Sequence, residues 1–183
     1  MVKYDVILAD PPWRYSDNID NHPKRRTATK HYPTMKLKDI CNLPVKNLVN
    51  KNCALFLWVT WPTIQNSFDV ISSWGFEYKT IAWVWVKMNK SGFGYFYGTG
   101  YYARANTEPC LLAIKGSMPP VAKNVQSLIA APIMEHSKKP YDQYSKINRL
   151  YPNAKKLELF ARRPVDGWDV WGNEVNSNVE LAL

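Results

Sequence analysis

Six apolar runs punctuate the chain: Tyr4 to Ala9, Cys53 to Val59, Thr80 to Val86, Cys110 to Ile114, Lys156 to Ala161 and Trp168 to Trp171. They lack the polar and apolar alternation of a half-exposed strand. Strands that are apolar on both sides belong to a sheet covered on both faces, the habit of parallel strands joined by crossover helices. Helical spacing supplies the crossovers. Ile64, Phe68, Ile71 and Trp74 recur at that spacing, with Pro62 at an early helical position and Gly75 as a stop. Tyr141, Tyr144, Ile147 and Leu150 mark a second amphipathic helix, opened by Pro140 and closed before Pro152. The pattern predicts an α/β fold, a mostly parallel sheet with helices on both faces. With 183 residues, 46% of them hydrophobic, there is material for one core but not two. Residues 1–175 read as a single domain and 176–183 as a C-terminal tail.

The first run ends abruptly in Asp10-Pro11-Pro12-Trp13. Two prolines fix φ and lack N–H groups, so this backbone is stiff, turns carbonyls outward and cannot extend the sheet. An acidic residue, free carbonyls and an aromatic ring at the mouth of a buried strand make an acceptor site for a planar base carrying an amino group. The plainer reading is a rigid turn whose Trp13 packs on a neighbour.

A formal charge of +9, with eight tryptophans and eleven tyrosines, favours a polyanionic partner whose bases can be stacked on. Two segments resist regular structure. Arg14 to Pro33 carries Lys24, Arg25, Arg26 and Lys30, and Asn89 to Asn106 is rich in glycine and aromatics, including Tyr97 and Arg104. Loops this long inside a compact domain are usually lids or binding loops. Lys24, Arg25, Arg26, Tyr97 and Arg104 are the candidates for gripping phosphates and bases.

Cys41, Cys53 and Cys110 fall at no metal spacing, and His22, His31 and His136 form no cluster, so no metal is expected. The odd cysteine count points to reduced thiols. The start of the chain does not read as a signal peptide, and no window is long and apolar enough for a membrane span. A cytoplasmic protein is the expectation.

Asp10-Pro11-Pro12-Trp13, the Ala54 to Val59 strand with Thr60, Trp74-Gly75-Phe76 before Trp83 to Lys87, Glu108 through Lys115-Gly116, His136 to Pro140, Glu158 to Arg162 and Trp168 with Gly172-Asn173-Glu174 follow one another along the chain. The ordered set resembles the adenine N6-methyltransferases related to the catalytic subunit of the eukaryotic messenger-RNA adenosine methyltransferase, including their small bacterial and phage members. The resemblance implies a Rossmann-like, S-adenosylmethionine-dependent methyltransferase fold in permuted order, with the tetrapeptide preceding the principal cofactor strand. It also implies roles. Asp10 with Pro11, Pro12 and Trp13 forms the transfer centre, Asp10 also facing the cofactor and Trp13 serving as a stacking wall. Lys139 lies near the cofactor's amino-acid end, Glu158 and Arg162 on the cofactor strand, and Asn173 and Glu174 around the ribose. Arg163, beside Arg162, could serve in its place. Longer relatives have a strand before the tetrapeptide that contacts the cofactor's adenine, whereas nine residues precede Asp10 here.

The amine of adenine is a poor nucleophile because its lone pair is delocalised into the ring. Acceptors for both N–H groups, Asp10 and the Pro11 carbonyl, would localise it, with Trp13 or Tyr15 stacked on the base. A base inside a duplex must be flipped out to reach such a site. The reading is therefore methyl transfer to adenine N6 in nucleic acid, DNA preferred. RNA remains an alternative acceptor, as do cytosine N4 and a side-chain amide, although Asp10 with Trp13 favours adenine. The reading from a different class is a catalytically silent, nucleic-acid-binding partner subunit. A dimer or partner chain is compatible with any of these.

Overall fold

Every one of the six runs becomes a strand. The computed structural model describes residues 2–14, 34–100, 102–135 and 138–181. In chain order the elements are β1 (Tyr4–Ala9), α1 (Leu37–Asn42), β2 (Val49–Trp58), α2 (Ile64–Ser73), β3 (Glu77–Met88), β4 (Thr107–Lys115), β5 (Leu128–Pro132), α3 (Asp142–Leu150), β6 (Lys156–Leu159) and β7 (Asp169–Trp171). They build one seven-stranded sheet in the order β5-β3-β4-β2-β1-β6-β7. β1 is parallel to β2 and β6, β6 to β7, and β3 to β5, whereas β4 is antiparallel to both β2 and β3. Six strands thus point one way and β4 alone is reversed.

Alternate residues of the central strands serve opposite faces, and both faces are covered. Ile7 and Ala9 of β1 join Leu55 and Leu57 of β2 in a cluster closed by Ile40 of α1 and Val70 and Ile71 of α2. Val6, Leu8, Phe56 and Trp58 face the other way, against Tyr144 and Ile147 of α3. This double burial is why the runs show no alternation. Full burial of such side chains contributes about 1.5–3 kcal/mol each before chain entropy is charged against it. The six-residue α1 has no side-chain cap; Ile40 is fully buried, and the Trp74 indole N–H donates to its carbonyl at 2.9 Å. Tertiary contact rather than propensity holds this helix.

Two of the expected runs differ at their ends for local reasons. The run Lys156 to Ala161 stops as a strand at Leu159 because Phe160 adopts φ 63°, a left-handed conformation that ends the extended ladder. The run beginning at Trp168 pairs only from Asp169, since Gly167 at φ 76° and a Trp168 N–H to Val165 carbonyl bond of 3.1 Å make a turn there. β5 has no counterpart among the runs. Beyond residue 175, the Asn178 N–H and side-chain oxygen pair with the Val170 carbonyl and N–H at 2.8 and 2.9 Å, so this part of the tail is latched to β7.

The carboxyl ends of the parallel strands and the amino end of reversed β4 share one edge of the sheet. Open α/β sheets bind ligands outside that edge, where successive connections leave in opposite directions. Here β1 is followed across α1 by β2 on one side, and α3 leads into β6 on the other.

Candidate active site

Asp10 is the first residue past β1, and the stiff prolines hold it at this divide. The chain folds tightly there: the Trp13 N–H donates to the Pro11 carbonyl at 2.8 Å, and the Met35 N–H to the Pro12 carbonyl at 2.9 Å. Pro11 therefore has one carbonyl lone pair already engaged, and Pro12 has its oxygen tied to the incoming chain. Trp13 departs from expectation. It is only 6% exposed, sits in the core cluster of the α1/α2 face, and donates its indole N–H to the Trp58 carbonyl at 3.0 Å. A ring buried this way has no free face for a base, which corrects the stacking wall to a packing and anchoring role.

Asp10 keeps a quarter of its side chain exposed and pairs through Oδ2 with Lys139 Nζ at 2.8 Å. Lys139 is buried and also contacts Glu108 Oε1 at 3.0 Å, and Glu108 Oε2 contacts Lys87 Nζ at 2.7 Å. Four charges of alternating sign thus run from the end of β1 to the end of β3. Burying an ammonium is costly unless it is paired and hydrogen-bonded, and Lys139 has two carboxylates and lies 5.5 Å from the Trp58 ring centroid. Its pKa is raised: burial works against the charge, and Asp10 and Glu108 overcome it. Burial pushes the Asp10 carboxyl above its ordinary range against the pull of Lys139, with Glu108 adding to the rise. Burial acts on Glu108 in the same sense, but Lys139 and Lys87 outweigh it and hold the group below the usual range.

Beside Asp10 opens a small cleft at the carboxyl edge of the sheet. Its walls include Asp10, Trp58, Lys139, Tyr144, Glu158 and Arg162. Glu158 projects from β6, accepts a hydrogen bond from the Tyr144 hydroxyl at 2.9 Å, and has its pKa pushed up to about 7, chiefly by burial. Trp58 donates its indole N–H to Gln143 at 2.7 Å, which fixes the ring in the cleft wall. Arg163 also lines the cleft, its guanidinium 3.5 Å from the Tyr141 ring centroid.

Of the expected cofactor residues, Asp10, Lys139, Glu158 and Arg162 thus meet in one cleft. Asn173 and Glu174 line a second, open depression, joined to the first through Arg162 Nε and Glu174 Oε1 at 3.9 Å. Gly172, before them, is pressed on the backbone of Ala161, where a β-carbon would collide with the Ala161 carbonyl oxygen. Tyr97 and Arg104 form a stacked pair, guanidinium 5.0 Å from the ring centroid, on the loop that leaves β3 and returns as β4 at the same sheet edge. Tyr15, Lys24, Arg25 and Arg26 lie outside the described residues. Lys87, Glu108, Gln143 and Tyr144 were not expected at the site. An acidic residue and a lysine bounding otherwise apolar strands are the signal that marks the first two.

A family model described as MT-A70 matches residues 4–174. The chain is 38% identical over 192 residues to the type II methyltransferase M.MunI of Mycoplasma sp, an alignment covering 96% of this chain and 79% of that one. It is 32% identical to an N(6)-adenosine-methyltransferase MT-A70-like protein of Arabidopsis thaliana, covering 94% of this chain and 24% of the relative. Identity to the N(6)-adenosine-methyltransferase catalytic subunit METTL3 of Homo sapiens is 30%, over 95% of this chain and 28% of that subunit. The chain therefore spans most of the Mycoplasma protein and about a quarter of the plant and human ones.

Proposed function

We propose that this chain, which belongs to the MT-A70 family, is an S-adenosylmethionine-dependent methyltransferase acting on the N6 amine of adenine in nucleic acid, with DNA as the favoured acceptor. Methyl transfer is the activity its relatives' names share. The observation that carries the reading is Asp10: a carboxylate at the exit of β1, lining a cleft with Lys139, Glu158 and Arg162 and oriented by Lys139 at 2.8 Å.

The donor set fits the cofactor. Asp10 and Glu158 offer carboxylates, and Lys139, Arg162 and Arg163 offer cations, around one cleft. A molecule with an ammonium, a carboxylate and a ribose diol needs that mixture. In this reading Lys139 and Asp10 face its amino-acid end, Glu158 and Arg162 its middle, and Asn173 and Glu174 its ribose. When bound, the cofactor supplies a methyl group on a sulfonium, an electrophile that needs no metal.

The protein's part is to prepare the amine. Lys139 occupies Asp10 Oδ2, which leaves Oδ1 to accept one N–H of the base, and the free lone pair of the Pro11 carbonyl accepts the other. Drawing on both hydrogens localises the nitrogen lone pair. Positive charge then develops on nitrogen, and the fixed Asp10 carboxylate stabilises that state more than the neutral amine. The proton released afterwards passes to water, so Asp10 orients and stabilises without acting as a strong base. Alignment of two bound reactants contributes up to about 7–11 kcal/mol in ideal cases.

Nucleic acid as the partner is supported by the +9 charge and by the exposed aromatics of the β3–β4 loop. Lys24, Arg25 and Arg26 are assigned to the phosphates. DNA is preferred because the chain matches the type II methyltransferase over most of its length and the adenosine methyltransferases over a fraction of theirs. Incubation with labelled S-adenosylmethionine and matched single- and double-stranded DNA and RNA, followed by identification of the methylated nucleoside, tests the reading. Label in N6-methyladenine supports it; label in another nucleoside, or none in any nucleic acid, overturns it.

A further inference from the structure

At the far end of β3 the chain turns over in Asn89-Lys90-Ser91-Gly92-Phe93-Gly94, and Phe93 stands at the tip with 84% of its surface exposed. Such exposure would suit a floppy loop, but this one is closed. The Asn89 N–H donates to the Gly94 carbonyl at 3.1 Å, the Asn89 side-chain amide to the Phe93 carbonyl at 2.9 Å, and the Gly92 N–H to the Asn89 carbonyl at 2.9 Å. Gly92 and Gly94 flank the ring at φ 79° and 68°, values that favour glycine and let the turn fold sharply around it. Met88 bridges to Tyr95 beneath. The most exposed phenylalanine of the described residues is thus mounted on a rigid turn.

The root of this turn is part of the site. The Lys87 backbone binds both strands of the loop, accepting from the Phe96 N–H at 2.8 Å and donating to the Asn106 carbonyl at 2.8 Å. Its ammonium is the outer member of the network that reaches Asp10 through Glu108 and Lys139. A fixed frame therefore connects the carboxylate and the aromatic tip. Phe93 stands six residues beyond Lys87, in the turn whose two arms Lys87 holds together.

We propose that Phe93 is a wedge that enters a base step of duplex DNA beside the target adenine and holds the stack open while that adenine occupies the Asp10 site. The proposal rests on the adenine methyltransferase reading above. Apolar rings inserted between base steps unstack and kink a duplex, and an enzyme that modifies a base within a duplex must extrude it. Phe93 suits this role better than Tyr97, whose ring is already covered by Arg104 at 5.0 Å. The exposed Lys90 beside it can meet a backbone phosphate.

The test compares wild type, Phe93→Ala and Phe93→Leu on three DNA substrates: a matched duplex, the same duplex with the target adenine opposite an abasic site, and the single strand. Phe93→Ala should lose at least tenfold in rate on the matched duplex, change less than twofold on the other two, and recover in part with leucine. With 2-aminopurine at the target position, wild type should raise the fluorescence of the matched duplex and Phe93→Ala should not. An equal loss on all three substrates, or no loss on the matched duplex, overturns the wedge. Failure of the wild type to methylate adenine in any of them sinks the underlying reading instead, a result distinguishable from both.

Discussion

The indole N–H of Trp13 lies 3.0 Å from the carbonyl oxygen of Trp58, so the last residue of the tetrapeptide is tied to the end of the neighbouring strand. Trp58 in turn forms part of the cleft wall and lies 5.5 Å from the Lys139 ammonium. Trp13→Phe removes one hydrogen bond and keeps most of the packing. It should lower stability by about 1 kcal/mol, roughly 2–4 °C in Tm for a chain of this size. Thermal melting measures it, and an unchanged Tm would show that the indole bond is not made in solution.

Asp10→Ala deletes the carboxylate assigned to the amine but leaves Lys139 its bond to Glu108. The variant should fold, and its turnover should fall by roughly 10²–10³-fold or more, as when other charge-stabilising groups are removed. Cofactor affinity should change far less than the rate. Single-turnover methylation and calorimetric titration separate the two, and near-normal turnover would remove Asp10 from the transfer centre.

Glu158 makes stability depend on pH in an unusual sense. Burial raises its pKa from 4.5 to about 7, so the folded protein holds the proton more tightly than the unfolded chain. Its contribution is fully present below about pH 4.5 and is lost as pH rises to about 7, on the order of 2–3 kcal/mol in all. Glu158→Gln should cancel this slope and become the more stable protein, relative to wild type, as neutrality is approached. Tyr144→Phe, by removing the donor that lowers the Glu158 pKa, should move the loss to higher pH. Urea unfolding across that window decides, and parallel curves for wild type and Glu158→Gln would contradict the assignment.

Glu108 has the opposite sign. Lys139 and Lys87 hold its pKa below the ordinary value despite burial, so its contribution is present above that value and fades only as pH falls through the depressed one. Glu108→Ala removes the carboxylate shared by Lys87 and Lys139, leaving the buried Lys139 with Asp10 alone, and should cost about 3–5 kcal/mol. The readout is the denaturation midpoint near neutrality, where a loss below about 1 kcal/mol would rank this network with ordinary surface ion pairs.

Continuous apolar runs announced the strands that carry the site, because burial on both faces writes itself directly into composition. Direction is not written there: β4 looks like its neighbours in the sequence, and only hydrogen-bond pairing shows it reversed. β5 was illegible for a different reason, since Ile129 is its one fully buried residue and the edge needs little apolar content. At the site, the residue types of Asp10, Lys139, Glu158 and Arg162 were legible through the family resemblance. Which way Trp13 faces was not, because two prolines fix a backbone path without revealing what lies above it. The partnership of Lys139 with Glu108 joins residues 31 positions apart on separate elements, and no local pattern encodes it.

The solitary reversed strand has an architectural result. Because β3 leaves and β4 returns at the catalytic edge, the segment between them is a hairpin that never crosses the sheet. Doubling its length would cost only about 0.6 kcal/mol of closure entropy. Changes of length or sequence there can alter what this edge presents to a substrate while every strand pairing stays in place.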